Sequence, residues 1–389
     1  MADSSRTELA YVKEPLWGTT PASPLTQLRF TGESLGYTIS TTSSSEVRAD
    51  RQVPDLIQTG ASAAGSVNLE LSYGAYDTLI ESALFSAWSA PVAISVSDDI
   101  AASNASSAFT SSGTDFTSAG ITAGQWVKIG GFAANGGENN GLYRVTGVAA
   151  NSLAVSPAPA SDEAAGGLSV TVSGSTIRNG ISETSLTLEK AFTDIGQYIA
   201  FTGMVADTMD LQIQTGRVLT GSFGFMGASA SIGTATAGTG AAVPAPSNPV
   251  LNAVNNIGQV MEGGAALSGV FLQSLSVSLA NGLRGIGAVG SLGNVDIGSG
   301  RCQVTGRASF YFADGTLYEK YLNGTATSLS FRVTDADGNA YVFTLPRVRL
   351  TRGSIAAGGP DQDVMADFQF QAVRDQATGA TIQIDRLAA

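Results

Sequence analysis

The side chains in this sequence that could do chemistry are carboxylates. Asp335-Ala336-Asp337-Gly338-Asn339 places acids two apart beside a glycine, as a calcium loop does. An EF-hand loop also needs its glycine at the sixth position and a glutamate at the twelfth, and neither is present. A turn between two strands accounts for the same residues. Asp361, Asp363 and Asp367 cluster as a cation site would, but a solvated loop entering a strand is the better reading of them, and Asp98-Asp99 has no special spacing. Gly282-Leu283-Arg284-Gly285-Ile286-Gly287 resembles a phosphate-cradling loop without the preceding parallel strand or following helix that such a loop requires. A mobile or tightly packed hairpin loop is the reading for it. Other active-site chemistry is closed off. The sequence has no histidine and one cysteine, Cys302, which removes catalytic triads, Cys-His dyads, internal disulfides and cysteine-based zinc sites. Only a carboxylate hydrolase remains of the enzyme classes, and no positioned acid pair supports it. No catalytic residue, metal or cofactor is expected.

Charge narrows the partners. The 389 residues carry 20 basic and 32 acidic side chains, a net charge of −12, so no basic face exists to replace counterions on a phosphate backbone. Charged residues are 13%, against about 25% in an ordinary domain, while hydrophobic residues at 43% are enough to fill real cores. The opening Met1–Arg6 lacks a basic-then-apolar secretory pattern. The longest uncharged stretch, 218–261, is built of small and polar residues with Pro244, Pro246 and Pro249, unlike a membrane span. The expectation is a chain made in the cytoplasm and soluble until it assembles.

The elements that would position any site are mostly strands. Val67, Leu69, Leu71 and Tyr73 alternate with polar residues, and Val364, Ala366, Phe368, Phe370 and Ala372 do the same. Leu329, Phe331 and Val333 lead to Asp337-Gly338, and Tyr341, Phe343 and Leu345 return, a hairpin with its turn in place. Phe223 and Phe225 mark a shorter strand. Helical spacing occurs at Tyr76–Leu84 and Gly315–Leu322. The class is mainly β.

The chain also repeats itself. Tyr73–Leu84 aligns without gaps on Tyr311–Leu322, and six of twelve positions agree: Tyr73/Tyr311, Ala75/Ala313, Thr78/Thr316, Leu79/Leu317, Glu81/Glu319 and Leu84/Leu322. Ser185–Leu188 then matches Ser328–Phe331, and Phe201-Thr202 matches Phe343-Thr344. Between the matched segments, Leu84 and Ser185 are separated by 100 residues where Leu322 and Ser328 are separated by 5. The first copy therefore carries an insertion. Its strands centre on Ile94, Trp126–Ile129, Leu142–Val145, Leu153–Val155 and Leu168–Val172, parted by Gly/Asn/Ser turns, which reads as a small Ig-like β-sandwich or barrel. Such an insertion is expected to project as an exterior accessory module. The boundaries are 1–91 and 179–227 for the first copy, 92–178 for the insert, 228–260 for a Gly/Ala/Pro-rich linker and 261–389 for the second copy.

One long loop reads as a contact surface. It interleaves Glu46, Asp50 and Asp55 with Arg48 and Arg51, and adds Val53, Leu56 and Ile57 as apolar anchors. Its second-copy counterpart offers Arg284, Asp296 and Arg301. Arginine outnumbers lysine 16 to 4, which suits pairing with carboxylates between subunits.

With these residues in view the sequence resembles the major tail tube proteins of long-tailed, siphovirus-type bacteriophages. The resemblance rests on Glu14-Pro15-Leu16-Trp17-Gly18-Thr19, the Ser45–Thr59 loop with Arg51-Gln52-Val53-Pro54-Asp55, the Gly65–Leu84 segment and Pro360–Ala372. It covers roughly 1–91 and 179–389 and not the insert. It implies two duplicated tube-type β-sandwich domains whose inner strands close into a β-barrel on assembly, with long loops reaching from one ring into the next. It also implies a virion protein that assembles with itself around a tape-measure protein, meets tail terminator and distal tail proteins, and lets DNA pass without specific binding. Two copies per chain favour a trimer acting as a pseudo-hexamer, with a hexamer as the alternative. Residues 92–177, with six acids and two bases, leave −8 of the −12 to the tube portion, which suits a conduit for DNA ejection. The rival expectation is another self-assembling virion or surface protein, an adhesin or decoration protein, that binds through the insert, for instance glycans through Trp126 and Tyr143.

Overall fold

The computed structural model describes residues 3–258, 260–267 and 270–389. The first half opens with β1 (Thr7–Lys13), β2 (Thr26–Leu28), β3 (Gly32–Glu33), β4 (Gly36–Ser43), β5 (Leu56–Glu70) and helix α1 (Asp77–Leu84). Seven strands interrupt it: β6 (Val92–Ser97), β7 (Ile100–Ser103), β8 (Ala108–Ser111), β9 (Trp126–Gly130), β10 (Gly141–Ala149), β11 (Ser152–Ser156) and β12 (Ser169–Arg178). It resumes with β13 (Leu186–Phe192), β14 (Gln197–Gln214), β15 (Thr220–Gly227) and β16 (Ser229–Gly233). The second half begins with β17 (Met261–Glu262), β18 (Ala265–Ala266), β19 (Leu272–Ala280), β20 (Arg284–Ile286), β21 (Asp296–Gly298) and β22 (Gln303–Tyr311). Helix α2 (Thr316–Leu322), β23 (Thr327–Thr334), β24 (Ala340–Ala357), β25 (Val364–Ala372) and β26 (Gln383–Leu387) complete it. The class is mainly β, and no helix among the described residues is long and apolar enough to cross a membrane.

The duplication is written into the strand pairing. The first copy pairs in the path β4–β5–β15–β14–β13, with β16 also on β14. The second pairs as β19–β22–β25–β24–β23, with β26 on β24. Both β14 and β24 are 18 residues long, and each slips in register against two partners: β14 opposite Leu186–Leu188 of β13 and between Ala206 and Thr208 on β15, β24 opposite Thr327–Leu329 of β23 and between Leu350 and Arg352 on β25. A bulge bends a strand and lets it pass from one sheet to another. The first part of β14 accordingly lies between β13 and β16, and its later part between β15 and β19. That crossing makes each copy a sandwich. Period-2 alternation supplies the core: Ala366, Phe368, Phe370 and Ala372 of β25 are all buried, and Phe331 stacks on Phe343 with ring centroids 5.0 Å apart.

By contact the chain divides into two compact units: Met1–Phe85 with Ile181–Leu251 and Ser274–Gly306, and Ser86–Gly180 with Asn252–Gln273 and Arg307–Ala389. These cut across the boundaries expected from sequence, and two ladders explain how. In the first unit β14 pairs with β19, so the opening strand of the second copy completes the first. In the second unit the insert is joined to the C-terminal strand. β12 pairs with β6 and β9 over residues 169–174 and then with β26 over 175–178. Gly174, at φ +155°, sits where the strand changes partner, and a Cβ there would meet Leu387 Cδ2 and the Trp126 carbonyl at 3.1 Å. The insert has a core of its own, including Ile100, Phe109, Phe116, Val127, Ile129, Leu153 and Val172. The stretch expected as a linker contains β16, paired with β14 from Tyr198↔Gly233 to Thr202↔Ser229.

The join between the insert and β26 is a buried polar network. Gln383 Nε2 donates to the Gly124 carbonyl at 2.8 Å and to Asp385 Oδ2 at 2.7 Å. Arg178 Nε donates to Gln383 Oε1 at 2.8 Å, and Trp126 Nε1 donates to Thr344 Oγ1 at 3.2 Å. Burial lifts the Asp385 carboxyl to about 7, against hydrogen bonds from Gln383 and Thr176 that favour its charged form. A carboxyl raised by folding holds a proton that the unfolded chain has already released. Its contribution to stability is therefore lost as pH rises from 3.8 towards 7. Asp385→Asn is expected to abolish that loss. Urea midpoints measured from about pH 4 to about pH 8 should decline in the parent relative to the variant, and parallel curves would exclude the effect.

Candidate assembly surfaces

Among the described residues the surface with most to satisfy is the edge of the sheets. An exposed strand edge presents unpaired N–H and C=O groups that another strand can take up. Inside the first unit one such edge is closed. Thr208 to Gln214 of β14 pair antiparallel with Ala280 to Ser274 of β19. The chain leaving β19, residues 281–302, then folds back on the first copy. Asn281 Nδ2 donates to the carbonyls of Ala83 at 2.9 Å and Ala206 at 3.0 Å, while its backbone N–H donates to the Asp207 carbonyl at 2.8 Å. The Leu283 N–H donates to Asp207 Oδ1 at 2.8 Å, and the Ala61 N–H to the Leu292 carbonyl at 2.8 Å. Leu283 and Ile297 enter an apolar cluster with Phe85 and Val205. One residue explains why this loop is precise: Asn281 is 4% exposed, and its side chain satisfies the end of α1 and the β14 bend at once.

The corresponding edges at the two ends of the duplication are open. Among the described residues β4 pairs only with β5, and residues 352–357 of β24 pair only with β25. The hairpin arm of β4 and β5 runs to Ser43↔Leu56, closed by the Ser44 N–H donating to the Asp55 carbonyl at 3.0 Å. Its tip is apolar and bare: Val47 is 98% exposed and Val53 70%. Leu56 and Ile57, in the first residues of β5, are also exposed.

The sequence-derived residues fall into these two loops. In the arm, the Arg48 guanidinium bridges Asp50 at 2.9 Å, and Asp50 also accepts from the Gln52 N–H. The Arg48 hydrogen bond holds the Asp50 carboxyl below its ordinary value. Arg51 takes φ +58° at the tip, Asp55 Oδ1 accepts the Leu56 N–H, and Glu46 is exposed. The second group is spread along the 281–302 loop, where β20 pairs with β21 as Arg284↔Gly298 and Ile286↔Asp296. Arg284 caps the Ser299 carbonyl at 3.4 Å, Asp296 accepts the Ile297 N–H, and Arg301 is exposed. Asp296 also adds to the burial that holds the Glu183 carboxyl above its ordinary range. The glycine run of this loop forms a β20–β21 hairpin that is largely exposed, with Val289 fully so. The Asp335 loop is a turn: its carboxylate accepts from the N–H groups of Asp337 and Asn339 and from Asn339 Nδ2. Trp126 and Tyr143, offered as glycan contacts, are buried, and the Tyr143 hydroxyl donates to the Asn139 carbonyl at 2.9 Å.

Sequence reasoning missed the two helices as a contrasted pair. In α1, residues from Leu79 to Leu84 are all buried, whereas α2 has no buried residue. The aligned leucines differ most, Leu84 at 1% exposure and Leu322 at 64%. The alignment itself held the signal, because two like helices need like covers.

A family model described as phage tail tube protein matches residues 4–372 of the chain. No curated protein matches it.

Asn281→Ala removes both donors from two buried carbonyls and is expected to lower stability by about 1–3 kcal/mol. Arg48→Ala breaks only an exposed pair and should shift stability by less than about 0.5 kcal/mol. Denaturant unfolding of the two variants beside the parent checks the contrast.

Proposed function

Since the chain belongs to the phage tail tube protein family, a structural component of the virion that assembles with itself into a tube, we propose that three copies close each ring. Stacked rings form the negatively charged conduit through which DNA is ejected. The observation that carries this reading is the internal junction: β14 of one copy is already sealed by β19 of the next. β24 and β4 are the duplicates of β14 and β19, and they stand open in one chain. Pairing β24 of each molecule with β4 of its neighbour repeats the internal junction between molecules. Such a head-to-tail contact closes only if the rotation per copy divides the circle. Two copies per chain turn the sixfold ring implied by the resemblance into three chains.

The remaining partners follow from that architecture. The ring surrounds a tape-measure protein during assembly, ends at tail terminator and distal tail proteins, and contacts passing DNA without specific binding. A chain with no histidine and −8 outside residues 92–177 suits a wall along which phosphate must slide rather than adsorb. The chain is made in the host cytoplasm, needs no catalytic group there, and enters the virion on assembly.

Native mass spectrometry of isolated rings, or averaged images of tubes, tests the stoichiometry. Three chains per ring are expected. Six full chains per ring would refute the trimer, and a chain that stays monomeric at assembly concentrations would favour the adhesin or decoration alternative.

A further inference from the structure

The internal junction has a second component besides the ladder. α1 is covered because the loop following β19 lies over its C-terminal end, through Asn281, Leu283 and Ile297. α2 occupies the same place in the second copy, between β22 and β23, and nothing among the described residues covers its end in the same way. Leu322, the partner of Leu84 in the alignment, is 64% exposed. In the same copy Phe312 at 40%, Ile355 at 37% and Val364 at 37% are also exposed, with the Phe312 N–H bonded to the Val364 carbonyl at 2.9 Å. A bare leucine at the end of a helix whose duplicate is covered marks a candidate interaction surface.

We propose that α2 is the seat for the 44–55 arm of a second copy of this chain within the same ring. The inference rests on the head-to-tail ring proposed above and deepens it. The arm follows β4 as the 281–302 loop follows β19, so pairing β4 with β24 delivers it to α2. Val47 and Val53 take the part that Leu283 and Ile297 play on α1, which gives these two exposed valines an apolar partner. Charge agrees with the assignment. The bend of β14 carries Asp207 and Asp210 and no base, whereas the same part of β24 carries Arg347, Arg349 and Arg352 and no acid. The arm that approaches β24 brings Glu46 and Asp55 against Arg51, with Asp50 already held by Arg48, and so keeps one net negative charge. This places the arm beside its neighbour in the ring, where the family resemblance alone implies a reach into the next ring.

Two measurements on the full chain test it. The first needs no variant: hydrogen exchange of unassembled protein and of tubes. Amides of α2 and of 44–55 are expected to gain at least about tenfold protection on assembly, while α1, already covered, changes little. Unchanged exchange at α2 in intact tubes overturns the seat and leaves the ring reading standing. The second pairs Val53→Cys with Leu322→Cys in a Cys302→Ser background, oxidised as tubes and then dissociated in detergent. Disulfide-linked species ending at the ring's chain number support the seat. Tubes whose cysteines stay unlinked, or ladders that run beyond one ring, overturn it, the latter by placing the arm between rings. If the double variant does not assemble, mixing the two single-cysteine chains gives the same readout as a linked dimer. Ring mass measured on the same tubes separates failure of the seat from failure of the trimer.

Discussion

A strand edge is a row of backbone donors and acceptors that must be paired, covered or left to water, and this protein is organised around where its edges end. Water satisfies an edge only at the cost of leaving a template for aggregation. The chain closes one edge with its own second copy, β14 against β19, and retains a complementary pair at β24 and β4. The bulges near the middle of β14 and β24 serve this arrangement. Each turns one long strand so that its first part completes a sandwich core and its second part presents an edge. Residue pattern and assembly geometry are thereby tied: the alternation that buries Phe368 and Phe370 also fixes which way the open edge of β24 faces.

The insert shows the same economy in a different currency. Its apolar core is its own, but its last strand ends against β26, and the join is polar and buried rather than apolar. Buried hydrogen-bonding groups tolerate few geometries, so Gln383, Asp385 and Arg178 set one docking arrangement where an apolar patch would allow several. The insert is therefore a fixed part of the second unit rather than a module on a free tether.

Much of this was legible in the residues. The hairpin through Asp337-Gly338, both short helices and the period-2 strands lie where their spacing places them. The repeat anticipated the common strand order of the two copies. What the sequence could not show has physical reasons. Ile382, Gln383, Ile384 and Asp385, at the start of β26, alternate apolar and polar like a half-exposed strand, yet all four are buried, so the two polar residues read as surface. β16 is built of Ser, Ala and Gly and reads as linker. The contrast between α1 and α2 is invisible locally, since it is made by Asn281, 198 positions from the carbonyl it satisfies at Ala83. The two loops were legible as a type, mixed charge with apolar residues, but not that the second folds back on the first copy while the first ends in a bare arm.

The central claim is that the junction between the two copies inside one chain is the pattern for the junction between chains. A density map of the assembled tube tests it most directly. If the claim holds, residues 352–357 of β24 in each chain will be hydrogen-bonded antiparallel to β4 of its neighbour, superposable on the β14–β19 ladder. A ring in which β4 pairs with another β4, or in which either edge faces solvent, would contradict it.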